Sequence, residues 1–220
     1  MSKSISIIAV VLLCALTAAA QDYPRVETFV GYTYQRANSA TNVPAFSMNG
    51  GSGQFAVNFN KVIGFVMDLG AVHNGDISGQ HLDTTMSNYL FGPRLSIRSS
   101  RVRPYFNVLF GGVHVGTSYG VSALIPPGTP LPSQPIYIPG TNTPIGPGTP
   151  VSARLVSSQT AFGMVAGGGL DIKINRWVSF RPVGLDYYLT RLQNLRSAND
   201  NNQNNLRYTT GFNFTFGNAQ

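Results

Sequence analysis

Hydrophobic and polar residues alternate along most of this chain. The C-terminal stretch "LRYTTGFNFTFGNAQ" shows the alternation most clearly. A period of two is typical of a β-strand, because successive side chains point to opposite faces. We therefore expect Phe212, Phe214 and Phe216 on one face of a strand, and Arg207 and Asn213 on the other. A soluble sheet would bury the phenylalanines, whereas a membrane barrel would turn them towards lipid.

Eight such runs follow one another, and none of the chain beyond residue 20 shows a sustained helical period. The runs cover residues 25–36, 53–60, 63–72, 85–98, 103–116, 160–174, 177–192 and 206–216. Tight turns join the second run to the third, the fourth to the fifth and the sixth to the seventh, and the other connections are long. This arrangement is typical of membrane barrels. The sequence predicts an all-β fold, an eight-stranded antiparallel up-and-down transmembrane β-barrel with long surface loops.

Ionisable residues fall on the face opposite the apolar one. A charge in lipid near the bilayer midplane costs about 2–4 kcal/mol, whereas the interior of a small barrel can pair it. We therefore predict a lumen charge network in which Glu27 and Asp68 pair with Arg94 and Arg181. Its members are Glu27, Asp68, Arg94, Asp171, Lys173, Arg181 and Asp186. We interpret the network as a filling of the lumen, and the alternative is the lining of a narrow pore or gate.

The seventh run does not fit a regular strand. Arg181 and Asp186 are five positions apart and would lie on opposite faces. Keeping both in the lumen requires a β-bulge, which we predict at 183–185 beside Gly184.

Aromatic residues of the outer face cluster where a bilayer would meet water, as in other membrane proteins. The predicted membrane-interface aromatics are Tyr32, Tyr34, Phe59, Tyr89, Phe106, Trp177, Tyr188 and Phe216.

Composition agrees with a membrane barrel. Charged residues make up 10% of the chain, against roughly 25% in soluble domains. The net charge of +7 is spread along the chain. We expect it to serve anionic lipid headgroups or internal ion pairs rather than nucleic acid.

The first residues predict export. Residues 1–20 combine Lys3, an apolar run and a small-residue cleavage site, which is typical of a secretory signal peptide. The only cysteine, Cys14, lies in this segment, and Leu13 before it is too large for the usual lipid-anchor site. The mature barrel domain, residues 21–220, would contain no disulfide.

Candidate chemistry is sparse. The glycine-rich "AGGGLD" at 166–171 lacks the Lys-Ser/Thr of a phosphate loop and a following helix. We expect Gly163, Gly167 and Gly169 to make room for long arginine side chains or to relieve barrel bending. "HNGDISGQHLD" at 73–83 and His114 have no regular ligand spacing and no paired nucleophile, so we predict no metal, no cofactor and no catalytic site. The surface-loop insertion 121–150 holds nine of the fourteen prolines. It is either an adhesive or shielding loop or a tolerated insertion.

Several segments resemble the bacterial outer-membrane β-barrel family of small OmpA/OmpX-like barrels. They are "VETFVGYTYQR", "LFGPRLSIR", "RPYFNVLFGG", "VAGGGLDIKINRWVSFRPVGLDYYLTR" and "GFNFTFG". The resemblance implies outer-membrane lipids around the barrel, insertion by the barrel-assembly machinery, both termini in the periplasm and long loops at the cell surface. The chain departs from the usual aromatic ending, since Phe216 is followed by "GNAQ".

Members of that family differ in role. Our first hypothesis is a monomeric, non-enzymatic outer-membrane protein with a structural or surface-interaction role through its external loops. The alternatives are a small pore or gated channel, a rim-active membrane enzyme, and a soluble ligand-binding barrel of lipocalin type. The last would need apolar side chains inside and charges outside.

Overall fold

The chain forms one closed antiparallel β-barrel. The computed structural model describes residues 23–38, 45–75, 77, 82–124, 150–193 and 200–218. The strands are β1 (Pro24–Ala37), β2 (Phe46–Asn58), β3 (Ile63–Asn74), β4 (Leu82–Ser96), β5 (Val102–Leu124), β6 (Pro150–Lys173), β7 (Val178–Gln193) and β8 (Asp200–Asn218). Each pairs with its neighbours in sequence, and β8 closes the barrel on β1. The predicted fold class is confirmed.

Strands run further towards the long-loop end than the alternation indicates. β2 begins at Phe46, which pairs with Ala37, although the apolar residues of "FSMN" fall on the inner face, where Met48 is buried. Backbone pairing with a neighbouring strand is sufficient there, so the long connections are shorter than predicted. The ends of the proline-rich insertion are also strand, because Leu124 pairs with Pro150. Residues 125–149 and the predicted signal peptide lie outside the described residues.

The two faces of the barrel divide as the alternation predicts. Phe212 and Phe216 are 48% and 50% exposed on the outer wall. In the lumen, Glu27, Asp68 and Arg94 are at most 5% exposed. This is the reverse of a soluble ligand-binding barrel. No helix in the described part of the chain is long and apolar enough to cross a membrane.

A β-bulge interrupts β7. Its pairing with β8 passes from Arg181↔Gly211 to Gly184↔Thr209, so one extra residue lies on the β7 side. The bulge is confirmed, and it begins at Pro182, one residue before the predicted segment. Proline lacks the N–H that a regular ladder uses, and bulges tolerate it. The Tyr208 hydroxyl donates to the Pro182 carbonyl over 2.7 Å.

The bulge moves every later residue of β7 to the opposite face. Asp186 therefore lies in the lumen with Arg181, and both are buried. Tyr188 has the same parity as Asp186 and is 0% exposed. Its prediction as a membrane-interface aromatic is wrong. Tyr187 occupies the outer wall instead, 49% exposed, and donates its hydroxyl to Asn204 over 2.6 Å.

Glycines of β6 leave space for larger lumen side chains. A Cβ atom at Gly169 would lie 2.6 Å from the Tyr105 hydroxyl, and one at Gly167 would overlap Asp186. Gly167 and Gly169 therefore make room for other lumen side chains, but these are Asp186 and Tyr105 rather than the expected arginines.

Candidate functional site

Ionised and amide side chains fill the lumen near the short turns. Glu27, from β1, lies 3.1 Å from Arg98 NH2 and 3.9 Å from Arg94 NH1. Asn58 and Asn213 also donate to its carboxylate, over 3.0 and 3.2 Å. A buried carboxylate is tolerated when its charge is paired and its lone pairs are occupied. These donors satisfy Glu27 from three other strands and from the β4–β5 turn.

A bidentate pair joins β6 to β7. Arg181 Nε and NH2 donate to the two Asp171 carboxylate oxygens over 2.7 and 3.2 Å. The guanidinium also lies 4.1 Å from the centroid of the Phe29 ring and 4.2 Å from that of Tyr105. A planar guanidinium can use its edge for the carboxylate and its two faces for aromatic rings. Arg181 is thus held on every side.

A third ion-pair group, around Arg207, lies deeper in the lumen. Arg207 NH1 and NH2 donate to the two Asp68 oxygens over 3.0 and 3.2 Å. The same guanidinium lies 2.9 Å from Asp186 Oδ2. Asn88 donates to Asp68 over 2.6 Å. Arg207 therefore compensates two carboxylates, which come from β3 and β7.

One glutamine connects these pairs. Gln54 Oε1 accepts from Arg94 NH2 over 2.6 Å and from Arg181 NH1 over 2.9 Å. Its Nε2 donates to Asp68 over 2.8 Å. The three ion-pair groups are therefore one continuous network. We call it the lumen network, consisting of Glu27, Gln54, Asp68, Arg94, Arg98, Asp171, Arg181, Asp186 and Arg207.

The lumen towards the long loops contains a cluster of apolar side chains, together with buried neutral polar residues such as Gln35, Thr190 and Asn205. The buried cluster there includes Met48, Val72, Met86, Leu90, Leu109, Val113, Val115, Val165 and Tyr188, all 9% exposed or less. Below it, Arg94, Arg181 and Arg207 are at most 1% exposed. Water therefore does not reach these arginines from either end of the barrel. The described lumen has the geometry of a filled core rather than an open pore.

Two features of the predicted network need correction. Lys173 lies at the end of β6 and is exposed at the short-turn rim, so it is not in the lumen network. Of the expected pairs, Glu27 with Arg94 forms, while Asp68 contacts Arg207 and Arg181 contacts Asp171. Alternation indicates the face of each residue. It does not give the depth at which residues from distant strands meet.

Sequence reasoning left three connecting residues out of the network. Arg207 was expected on the inner face but was given no partner there. Arg98 and Gln54 also fall on inner faces of their runs. Gln54 is neutral and was therefore missed by a search for charges, although a buried amide can join two ion pairs. Inner-face parity was the signal that could have identified all three.

Most of the predicted membrane-interface aromatics lie on the outer wall. Those 42–55% exposed are Tyr32, Phe59, Tyr89, Phe106, Trp177 and Phe216. Tyr34 is half-buried, with its hydroxyl 2.9 Å from Ser47 Oγ. Phe59, Trp177 and Phe216 lie at the short-turn end, and Tyr32, Tyr34 and Tyr89 lie nearer the long loops. The aromatics therefore form two levels on the barrel wall.

A polar cluster lies on the outer wall near the long loops. His73 Nδ1 lies 3.1 Å from Thr85 Oγ1 and 3.5 Å from Asp83 Oδ1. Both contacts use the same ring nitrogen, so His73 cannot pass a proton between Asp83 and Thr85 as a catalytic histidine does. The described residues contain no group of three or more potential metal ligands. Asp76 and His81 lie outside them.

Near the long loops, the outer surface of β5 and β6 is also polar. His114 is exposed, with Nδ1 2.9 Å from Thr160 Oγ1. Arg154 NH2 donates to Ser118 Oγ over 2.6 Å and lies 3.5 Å from Asp83. The apolar wall therefore ends below this level.

β5 and β6 extend past the rest of the wall as a two-stranded ribbon. They pair as far as Leu124↔Pro150, whereas the pairing of β6 with β7 stops at Phe162↔Arg191. Within the described chain, β6 has a single strand neighbour from residue 150 to 158. We call this segment the ribbon edge. Its length is roughly 30 Å at the usual rise of a strand.

Apolar side chains on the ribbon are exposed to solvent. Leu155 and Val156 are 61% and 72% exposed, and Tyr119, which pairs with Leu155, is 41% exposed. Adjacent strand residues point to opposite faces, so Leu155 and Val156 expose one apolar side chain on each face. An unpaired strand edge with exposed apolar residues favours pairing with another extended chain.

Solved structures with a similar fold are small outer-membrane barrels. Neisserial surface protein A (NspA) superposes with a TM-score of 0.59 at 11% identity, covering 90% of this chain and 100% of that one. Ail, the attachment invasion locus protein of Yersinia pestis, gives 0.54 at 14% identity, covering 87% and 99%. The outer membrane protein OprG from Pseudomonas aeruginosa gives 0.50 at 11% identity, covering 90% and 98%.

No protein-family model matches the chain, and no curated protein matches it either. At these identities the likeness concerns the fold. The chain has the fold of the small eight-stranded outer-membrane β-barrels.

Proposed function

We propose that the protein is an integral outer-membrane barrel that displays the β5–β6 ribbon at the cell surface and binds another macromolecule there. The short turns and both termini would then face the periplasm. The outer wall supports this location, because Phe55, Phe65, Phe91 and Phe110 are 41–45% exposed along it. A wall of exposed aromatic residues is unfavourable in water and favourable in lipid.

The ribbon edge is the observation on which the binding role rests. From residue 150 to 158, β6 pairs with β5 alone and has no second strand neighbour in the described chain. Proteins usually cover or shorten such an edge, since it is a template for adding a strand. We expect the partner to be an extended protein segment with apolar side chains, which would pair with the edge and cover Leu155 and Val156.

The lumen does not favour the pore alternative. Its apolar layer and its paired arginines leave no exposed charged path through the described interior. The rim cluster around His73 lacks catalytic geometry, so we assign no enzymatic activity. Attachment is the role that fits the exposed ribbon, and it agrees with the name of one barrel of the same fold, the attachment invasion locus protein.

A ribbon-shortened variant tests the proposal. Thr117 and Ser157 pair across the ribbon, so an Asn-Gly turn can replace residues 118–156 between them. The matched control shortens a different connection, joining Ala37 to Phe46 through the same turn. Bacteria producing each form are compared for membrane fractionation, for the heat-dependent gel shift of a folded barrel, and for attachment to a cultured epithelial layer.

We expect all forms to fractionate with the outer membrane and to show the gel shift. The control should attach as well as the wild type, and the ribbon-shortened form no better than cells without the protein. Equal attachment by the shortened form would refute the binding role. Recovery of the protein in the soluble fraction would refute the location.

A further inference from the structure

The short-turn end of the barrel has a strong excess of positive charge. Its acidic residues in the described chain are Glu27 and Asp171, which are 5% and 3% exposed and belong to the lumen network. The cations at this end are Arg25, Lys61, Arg98, Arg101, Arg103, Lys173 and Arg176. We call these seven residues the basic rim. The described surface offers them no exposed carboxylate.

Most of the basic rim is not used by protein contacts. Arg98 pairs with Glu27, and its NH1 also donates to the Asn60 carbonyl over 3.1 Å. The side chains of Arg25, Lys61, Arg101 and Lys173 are exposed and make no hydrogen bond or ion pair with the described residues. Exposed cations without a carboxylate partner favour an anionic acceptor from outside the chain.

Exposed apolar side chains occupy the same turns as these cations. Ile97, Ile174 and Phe59 are 69%, 60% and 55% exposed. Ile97 precedes Arg98, Ile174 follows Lys173, and Phe59 lies two residues before Lys61. Trp177 is 48% exposed, and the Arg176 guanidinium lies 5.0 Å from its ring centroid. Apolar residues close to cations are typical of the level at which acyl chains meet headgroups.

We infer that the basic rim binds the phosphate groups of anionic phospholipids in the adjacent leaflet. This inference rests on the membrane location proposed above. A phosphate supplies the acceptor oxygens that the free guanidinium and ammonium groups lack. A lipid, unlike free phosphate or an acidic protein, also covers Ile97, Ile174 and Trp177 with its acyl chains. One lipid molecule would then bind the cations through its phosphate and cover the apolar side chains with its acyl chains.

Trp177 provides a direct measurement, because it is the single tryptophan of the chain and lies in the rim. The protein is inserted into vesicles of phosphatidylcholine and phosphatidylglycerol in fixed proportion. Bromine, which quenches tryptophan, is placed on the acyl chains of one lipid or of the other at equal mole fraction. We expect brominated phosphatidylglycerol to quench more, as if it were enriched about threefold around Trp177.

Two triple variants distinguish an effect of the basic rim from an effect of the total charge of the protein. The rim variant contains Lys61→Gln, Arg101→Gln and Lys173→Gln. The control contains Arg36→Gln, Arg154→Gln and Arg191→Gln at the long-loop end and loses the same charge. We expect the rim variant to be quenched equally by the two brominated lipids, and the control to behave as the wild type.

Equal quenching in the wild type would overturn the lipid assignment and would favour an acidic macromolecule as the partner of the rim. If both variants lost the stronger quenching by brominated phosphatidylglycerol, the assignment would also be overturned, because the quenching would then depend on net charge alone. Failure to insert into any of the vesicles is a different result. It would refute the membrane location itself.

Discussion

Arg207 reaches across the lumen to Asp68, with NH1 3.0 Å from Oδ1. The two residues belong to β8 and β3, which are not neighbours in the barrel. The bidentate contact therefore connects opposite parts of the wall, and the second contact of Arg207, with Asp186, adds β7. Since Asp68 is 0% exposed, no solvent replaces the arginine if it is removed.

Replacing Arg207 should be strongly destabilising. Arg207→Met leaves Asp68 and Asp186 buried without their cation, and the loss of one member of a buried ion pair costs about 3–5 kcal/mol. Urea unfolding in lipid vesicles, followed by the heat-dependent gel shift, measures the free energy of unfolding. Arg36→Met on the exposed outer wall is the control, and we expect a change within about 0.5 kcal/mol.

The double variant Arg207→Met, Asp68→Asn distinguishes lost charge balance from lost packing. Neutralising Asp68 removes part of the uncompensated charge, so we expect the double variant to be more stable than Arg207→Met alone. A single variant as stable as the wild type would show that the lumen network does not stabilise the barrel.

Removing the hydroxyl of Tyr188 and removing that of Tyr208 should change the stability of the barrel differently. The Tyr188 hydroxyl is buried and has no hydrogen-bond partner among the described residues, whereas that of Tyr208 donates to the Pro182 carbonyl in the bulge. We expect Tyr188→Phe to be neutral or to stabilise by up to about 1 kcal/mol, and Tyr208→Phe to destabilise by about 1 kcal/mol. Both are measured by urea unfolding. A loss for Tyr188→Phe matching that for Tyr208→Phe would contradict the burial of an unpaired hydroxyl.

Alternation alone was sufficient to predict the faces of most strands. The positions of Phe212, Gln54 and Asp68 follow from period two, because a strand has only two faces and the membrane reverses which one is apolar. The bulge could also be predicted, since Arg181 and Asp186 cannot share a regular face. The closed order of the strands followed from the alternation of short and long connections.

Alternation did not predict the depth of each side chain in the lumen, and the effect of the bulge on later residues was not worked out. Arg181 meets Asp171 rather than Asp68 because strand tilt and stagger determine which levels face each other, and alternation does not encode stagger. Tyr188 was assigned to the interface although a bulge that brings Asp186 inside brings Tyr188 inside too. The ribbon edge was missed because strand beyond the wall has no lipid-facing pattern to identify it.

Gly169 should tolerate no side chain. A Cβ atom there would lie 2.5 Å from the Val183 carbonyl oxygen and 2.6 Å from the Tyr105 hydroxyl. We expect Gly169→Ala to cost about 1–3 kcal/mol through overpacking. Gly116→Ala on β5 is the matched control, because nothing lies within 4 Å of the Cβ position there. We expect the control to be neutral or slightly stabilised, since alanine has less freedom to lose on folding. Equal losses of stability in Gly169→Ala and Gly116→Ala would mean that the cost comes from the backbone conformation of the strand and not from overpacking.

Because the lumen is filled, we expect the protein not to conduct ions across a bilayer. Two closed layers lie in series, the apolar cluster that includes Met48 and Met86 and, below it, the lumen network. Pure protein in a planar bilayer should therefore give no steady current steps. The variant Met48→Ala, Met86→Ala opens only the apolar layer, and we expect it to be equally silent because Arg94 and Arg207 still close the level below. Steady ion-selective currents from the wild type would contradict the filled lumen, and currents from the variant alone would show that the apolar layer is the only barrier.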